Sequence, residues 1–388
     1  MNATKVNTQT GKIILAPMEG VVDATMRHLI SRLGGVDLCV TEFIRITGYV
    51  LPEKEFLKSA PELANQGSTA SGIPVVIQLL GSEPELLAMN AVRAAQMGAP
   101  AIDLNFGCPS KTVNKHRGGA VLLDEPDIIH AIVRAVRQAV PANIPVTAKM
   151  RLGNLDKSLA IDNALAIQEA GADSLAVHAR TKVEGYKPPA HWEWIGRTKE
   201  RVDLPVVANG EVWNCEDYQR CRELSGCDDV MIGRGLIARP ELGLMIKSFQ
   251  LGQSSEGQAW SKIMRLLLEY FDFVEQKLPP KYVHGRIKQW LHMMRPQRGE
   301  AEKLFFEVKT ISRVDTYHSA FGAPVAGLVL KNTGDRRLAF STFTIMYVPF
   351  AEFIPVAFNQ QGMTMMTVGR ARLSMVYIAY VYVSDTIR

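Results

Sequence analysis

Val146-Thr-Ala-Lys-Met150 is followed by an amphipathic stretch over Ser158–Ala170, and then by Ser174-Leu-Ala-Val177 with His178 behind it. Each short apolar run ends on polar groups, Lys149 and Arg151 in one case and His178 in the other. Runs of four or five Val, Ala, Leu and Met residues read as strands buried in a parallel sheet, and the segment between them reads as a helix. The pattern repeats in both directions along the chain. Ile13–Ala16, Leu38–Val40, Val75–Leu79 and Ala101–Leu104 precede this unit, and Val206–Ala208 and Val230–Ile232 follow it. Helical stretches such as Glu83–Met97 and Asp127–Val140 separate them. Eight strand–helix units in about 240 residues predict an α/β chain folded as a (β/α)8 TIM barrel. An open doubly wound sheet is the competing architecture, but it uses fewer strands per domain.

The ends of these runs are polar all the way round. They carry Pro17-Met18-Glu19, Thr41 and Glu42, Gln78, Asn105, Lys149 and Arg151, His178, Asn209-Gly210-Glu211, and Gly233-Arg234-Gly235. One polar strand end is ordinary, because a chain leaves the core there. Eight together predict a site on the C-terminal rim, where barrels place their active sites.

The chain has 388 residues, 47% of them apolar and 21% charged, enough to bury a large core and to exclude wholesale disorder. A net charge of +5 permits an anionic partner without demanding one. Five cysteines form no disulfide framework and suit a reducing compartment, and Cys215, Cys221 and Cys227, six residues apart, lack a zinc-ligand spacing. No metal is expected. The polar N-terminus lacks the apolar core of a signal peptide, and the apolar run Leu338–Phe358 is interrupted by Pro349, Glu352 and Pro355. A cytoplasmic, monomeric protein without a membrane partner is expected.

Three regions follow from these patterns. The barrel is expected over 12–252, ending at the break Gly252–Gly257. Residues 258–315 read as helices, with Ile263, Leu266, Leu267, Tyr270 and Phe271 at helical spacing, and Gln276–Gly299 contains no acidic residue. From 316 to 388 only nine of 73 residues are charged, and apolar runs such as Phe343–Phe350 have no clear period. That tail is expected not to be an evolved functional domain. A membrane-contact segment and a partner-binding strand pair are the competing readings.

Several residues could carry chemistry. Asn209-Gly210-Glu211 and Gly233-Arg234-Gly235 sit on the last two strands, where barrels commonly bind phosphate; each alone could be a plain turn. Lys149, His178 and Gln78 could bond a flavin ring, or could be a salt-bridged lysine, a satisfied rim histidine and a core cap. Cys108 lies between Gly107 and Pro109 in a rim loop and could serve as nucleophile, acid or redox thiol. The loop behind it is basic, with Lys111, Lys115, His116 and Arg117. Tyr186 and Trp192 could stack a base or simply pack.

Leu15-Ala-Pro-Met-Glu-Gly20, Asp103-Leu-Asn-Phe-Gly-Cys-Pro-Ser110, Lys149-Met-Arg-Leu-Gly153, Val177-His-Ala-Arg-Thr181, Ala208-Asn-Gly-Glu211 and Met231-Ile-Gly-Arg-Gly235 resemble the tRNA-dihydrouridine synthase family, in order, from about Lys12 to about Asp315. Asp37–Phe43, Arg45, Gly185-Tyr186 and Arg286-Ile-Lys-Gln-Trp290 resemble its tRNA-dihydrouridine(16) branch. The resemblance implies FMN-dependent, NADPH-driven reduction of a uracil C5=C6 bond in the tRNA D-loop. It implies FMN contacts at Pro17, Met18, Glu19, Gln78, Lys149, His178, Asn209, Gly210, Glu211, Gly233 and Arg234, and a catalytic acid at Cys108. It implies tRNA-facing positions at Arg45, Asn105, Tyr186, Arg286 and Lys288, with Arg151 near the uracil, and makes 258–315 a tRNA-binding domain. Two other functions compete: an FMN barrel reducing a free pyrimidine, and a tRNA-binding homologue without turnover. No family pattern extends beyond about Thr316.

Overall fold

The computed structural model describes residues 10–254 and 256–311. The expected tail, 316–388, lies outside the described residues.

Nine strands form one parallel sheet: β1 Ile13–Leu15, β2 Leu38–Val40, β3 Ile44–Arg45, β4 Val75–Leu80, β5 Ile102–Phe106, β6 Val146–Arg151, β7 Ser174–His178, β8 Val206–Asn209 and β9 Val230–Ile232. Eight of them close a ring, because β1 pairs with both β2 and β9, and β2 pairs with β4. This is the (β/α)8 barrel, with the eight expected runs displaced by no more than a residue or two at their ends. The two-residue strand β3 was not anticipated; it adds to β4 through Ile44 opposite Leu79 and Arg45 opposite Leu80.

Period-two alternation sorts the strand residues. Ile13, Leu15, Ile77, Leu104, Ala148, Val177, Ala208 and Ile232 pack outward against the helices in the main core. Ile14, Val40, Val76, Ala176, Val207 and Met231 fill a second apolar cluster inside the ring. Counting onward by twos from Val76, Ala176, Val207 and from Ala101 of the same cluster reaches Gln78, His178, Asn209, Asp103 and Asn105, and the β5–β6 register sets Lys149 opposite Asn105. The lower barrel interior is therefore apolar and its upper layer polar, which aims those side chains at the C-terminal rim.

Three helices complete the described fold: Trp260–Lys277, Pro280–Met294 and Gly299–Val308. The first buries Ile263, Leu266, Leu267, Tyr270, Phe271 and Val274 at one-turn spacing. The second buries Val283, Ile287, Trp290, Leu291 and Met294. Tyr270 and Trp290 meet edge to face at 4.8 Å, and the Trp290 indole N–H donates to the Ile237 carbonyl just after β9, at 2.9 Å. That bond fixes the second helix to the barrel rim. Among the described residues no helix is long and apolar enough to cross a membrane.

Candidate active site

A cavity of about 800 Å³ opens at the polar rim. Its volume is at the upper end of the usual range for small-molecule and cofactor sites. Sixteen of the eighteen expected site residues line it: Pro17, Met18 and Glu19 after β1, Arg45 in β3, Gln78 in β4, Asn105 in β5, Cys108 after it, Lys149 and Arg151 in β6, His178 in β7, Tyr186 beyond β7, Asn209, Gly210 and Glu211 at β8, and Gly233 and Arg234 after β9. Arg286 and Lys288 are not in the wall.

The floor is a hydrogen-bonded layer. Lys149 Nζ donates to Asn209 Oδ1 at 2.9 Å, and Asn209 Nδ2 donates to the Met231 carbonyl at 2.7 Å. Burial and the nearby Arg151 guanidinium bring the Lys149 pKa down to about 8. His178 is pushed well below the usual histidine range by burial and by Arg151, Lys149, Arg180 and Arg234, so its ring is neutral at pH 7. Its buried Nδ1 has no hydrogen-bond partner among the described residues.

Two exits shape the far wall. Gly210 has φ +125° and Glu211 φ +60°, so the chain turns sharply as it leaves β8. Glu211 accepts from Arg180, from Arg234 at 3.3 Å and from the Trp213 indole N–H at 3.1 Å. The Arg234 guanidinium lies 5.0 Å from the Tyr186 ring centre and 5.1 Å from that of Trp213. A cation stacked between two rings, next to a glycine turn, suits an anionic group. With Gln78, Lys149 and His178 on the floor, the wall could hold a ligand that has a phosphate at one end and a flat polar ring at the other.

Cys108 follows β5, four barrel strands from β9, so its loop and the Gly233–Arg234 exit lie on opposite sides of the cavity wall. Burial pushes its pKa up, which keeps the thiol protonated at neutral pH. Its loop is held from several sides. Arg151 Nε donates to the Gly107 carbonyl at 2.8 Å, and Arg151 Nη1 donates to Thr181 and Gly185 carbonyls at 3.0 Å each, tying this loop to the one bearing Tyr186. Asn114 Nδ2 donates to the Cys108 carbonyl at 2.8 Å. Gly119, at φ +67°, passes so close that a Cβ there would stand 2.7 Å from the Cys108 carbonyl oxygen.

Of the two aromatic residues read as stacking candidates, Tyr186 is exposed in the cavity wall, whereas Trp192 is buried and donates to the Gly210 carbonyl at 2.8 Å. Trp192 therefore packs. Arg286 is half-buried in an ion pair: Nη2 reaches Asp23 Oδ2 at 2.6 Å, and Nη1 donates to the Gly20 carbonyl. Lys288 is partly exposed on the same helix. Trp213, and Met293 on the acid-free helix, line the cavity without having been singled out. Trp213 lies only two residues past Glu211, a nearness that could have flagged it. Nothing in the sequence brings Met293 to the rim.

Residues 14–311 match the family model described as "Dihydrouridine synthase (Dus)". The chain is 55% identical over 298 residues to the tRNA-dihydrouridine(16) synthase of Aquipseudomonas alcaligenes, covering 77% of this chain and 95% of that one. It is equally identical, over 298 residues, to the protein of that name from Pseudomonas putida, covering 77% and 92%. A third, from Neisseria meningitidis serogroup A, is 48% identical over 308 residues, covering 79% and 92%. The closed barrel, the rim cavity with its thiol and the match across three-quarters of the sequence agree, and this chain belongs to the dihydrouridine synthase family.

Proposed function

We propose that this chain reduces the C5=C6 bond of a uridine in the tRNA D-loop to 5,6-dihydrouridine, at position 16, with FMN as its flavin and NADPH as the electron source. Position 16 is supported by relatives of that name at 48–55% identity. The observation that carries the reading is a cavity with a protonated thiol on one side and a glycine–arginine exit on the other, floored by Lys149 and His178.

The wall residues fit FMN. Gly210, Gly233 and Arg234 would hold its phosphate, and Gln78, Lys149, Asn209 and His178 would meet the ring, with Pro17, Met18, Glu19 and Glu211 completing the wall. When bound, the flavin supplies the hydride that reaches uracil C6. Cys108 holds a proton at Sγ and delivers it to C5. Lys149 keeps a positive charge at the floor up to about pH 8 and so favours anionic character on the ring. Arg151 and Tyr186 close the wall beside the thiol and limit water there.

A uracil stacked inside folded tRNA cannot enter a barrel, so it must be extruded at an unstacking cost of a few kcal/mol. The helical region 258–311, acid-free over 276–299, would hold the phosphate backbone and position the target without reading it. Lys288 and Arg45 would belong to that surface, and Asn105 and Tyr186 to its edge. The same basic helices favour tRNA over a free pyrimidine, which needs no such platform.

The test is to map dihydrouridine in tRNA from cells lacking this chain, and to assay the purified protein for a flavin spectrum and for reduction of tRNA against free uridine. Loss of dihydrouridine at position 16 alone is expected. Unchanged modification, a protein without flavin, or preference for free uridine would each overturn the reading.

A further inference from the structure

A hydrogen-bond chain runs along the inner wall of the barrel, with its direction set at the Cys108 loop. The backbone N–H groups of Gly107 and Cys108 both donate to Asn105 Oδ1, at 2.9 Å each. A backbone N–H only donates, so Asn105 must turn its oxygen to the loop and its NH2 inward. That NH2 donates to Gln78 Oε1 at 2.7 Å, which leaves Gln78 Nε2 to donate to Asp103 Oδ2, also at 2.7 Å. Asp103 Oδ1 accepts from the Thr147 hydroxyl at 2.6 Å. The two obligate donors at the loop end leave one arrangement for both amides, and it sets the Gln78 NH2 against Asp103 Oδ2, which accepts; burial raises the Asp103 pKa, while its hydrogen bonds to Thr147 and Gln78 and the Lys149 charge lower it. The members are buried: Gln78 is 0% exposed, Asp103 3% and Asn105 9%. The β5–β6 register, which sets Asp103 opposite Thr147 and Asn105 opposite Lys149, brings a compensating cation into the same layer.

We propose that Asp103 is a positioning residue: its buried carboxylate orients the amides of Gln78 and Asn105 and through them holds the Cys108 loop in place. The consequence for turnover rests on Cys108 being the proton donor, as argued above; the positioning itself does not. Gln78 gains a second duty, since the orientation that serves Asn105 also decides which amide atoms remain for a ligand on the cavity floor.

The test is a polarity reversal. In Asn105→Asp, the new carboxylate still accepts from the Gly107 and Cys108 N–H groups but opposes Gln78 Oε1. If Gln78 turns over, its oxygen opposes Asp103 instead, so two acceptors meet in either state. Adding Asp103→Asn removes the conflict. The carboxylate at 105 then accepts from Gln78 Nε2, Gln78 Oε1 accepts from the amide at 103, and Thr147 still has an oxygen to donate to. The readout is the iodoacetamide labelling rate of Cys108 in the full-length, flavin-loaded protein, followed by peptide mass spectrometry at matched flavin occupancy, with half-buried Cys215 as internal reference.

Asn105→Asp is expected to label about tenfold faster at Cys108, the order of one lost hydrogen bond, with the Cys215 rate unchanged. The double variant is expected to return to within about twofold of the wild-type rate. Unchanged labelling in the single variant, or a double variant that labels as fast as the single, overturns the proposal. Should Asn105→Asp fail to fold, a folded double variant with wild-type labelling supports the proposal, and an unfolded one overturns it. Full tRNA turnover by Cys108→Ala alongside the expected labelling pattern would instead reject the proton-donor role and leave the positioning intact.

Discussion

A thiol that gives up a proton near neutral pH must first hold one, and Cys108 holds it because burial, aided by the charge of Glu19, raises its pKa against the opposing pull of the Ser110 N–H, Arg151 and Arg45. Cys108→Ala is therefore expected to keep the flavin spectrum and to lose about 10²–10⁴-fold in turnover on tRNA, the usual contribution of a general acid; near-wild-type rates would remove Cys108 from the chemistry. Lys149 makes a different prediction. Its pKa drops from 10.5 in the unfolded chain to about 8 in the fold, chiefly by burial. Between those values the unfolded chain binds a proton that the folded chain lacks, so this group makes the flavin-free protein more stable as pH rises from about 8 to 10.5. The gain is at most about 3 kcal/mol, and less because the cavity admits water to Nζ. Denaturant unfolding across that window should show the rise in wild type and a flatter curve in Lys149→Met. Parallel curves would mean that the fold does not depress Lys149.

Asp23 shows how elements share one side chain. Its Oδ1 caps the helix Ala24–Leu33 by accepting from the Met26 N–H at 2.9 Å, while its Oδ2 receives Arg286 from the helix Pro280–Met294. Arg286 also holds the Gly20 carbonyl, and Gly20 N–H donates to Glu42 at 2.5 Å, so the helical region braces the loop that carries Glu19 into the cavity. Arg286→Ala should thus lower the melting temperature and weaken flavin retention, whereas Lys288→Ala should leave both unchanged. Titrating tRNA binding against salt separates them further: Lys288→Ala should reduce the log–log slope by roughly 1 if it meets a phosphate. An unaltered slope would remove Lys288 from the tRNA surface. The pairing of Arg286 with Asp23 was illegible in the sequence because 263 residues separate them. What was legible has a local cause. Strand runs such as Val146–Met150 show as blocks of Val, Ala and Met, and Gly210 and Gly233 mark their exits. Ile44–Arg45 escaped notice because two residues of mixed polarity make no run. Asp103 was quoted within the family motif but not as a buried anchor, since an acid flanked by Ile102 and Leu104 declares itself only once the strand's inward face is known.

At the scale of the whole molecule, the cavity wall, the family match over 14–311 and the helices that brace the rim all lie before residue 312. The composition changes just beyond: 74 of the first 315 residues are charged against nine of the last 73, and the apolar runs there lack both period and caps. A chain ending at Asp315 retains Trp290 against Ile237, Arg298 against Glu241, and every residue placed in the wall. It is therefore expected to bind flavin at full occupancy, to melt cooperatively within a few degrees of the full chain, and to reduce tRNA at a comparable rate. The comparison should be made at equal flavin content, so that a difference in rate cannot arise from a difference in loading. If the truncated chain holds flavin and melts normally but loses tRNA turnover, residues beyond 315 contribute to substrate binding, and the reading of them as functionless is wrong. If it loses flavin as well, those residues support the barrel itself, which the packing of the described helices gives no reason to expect.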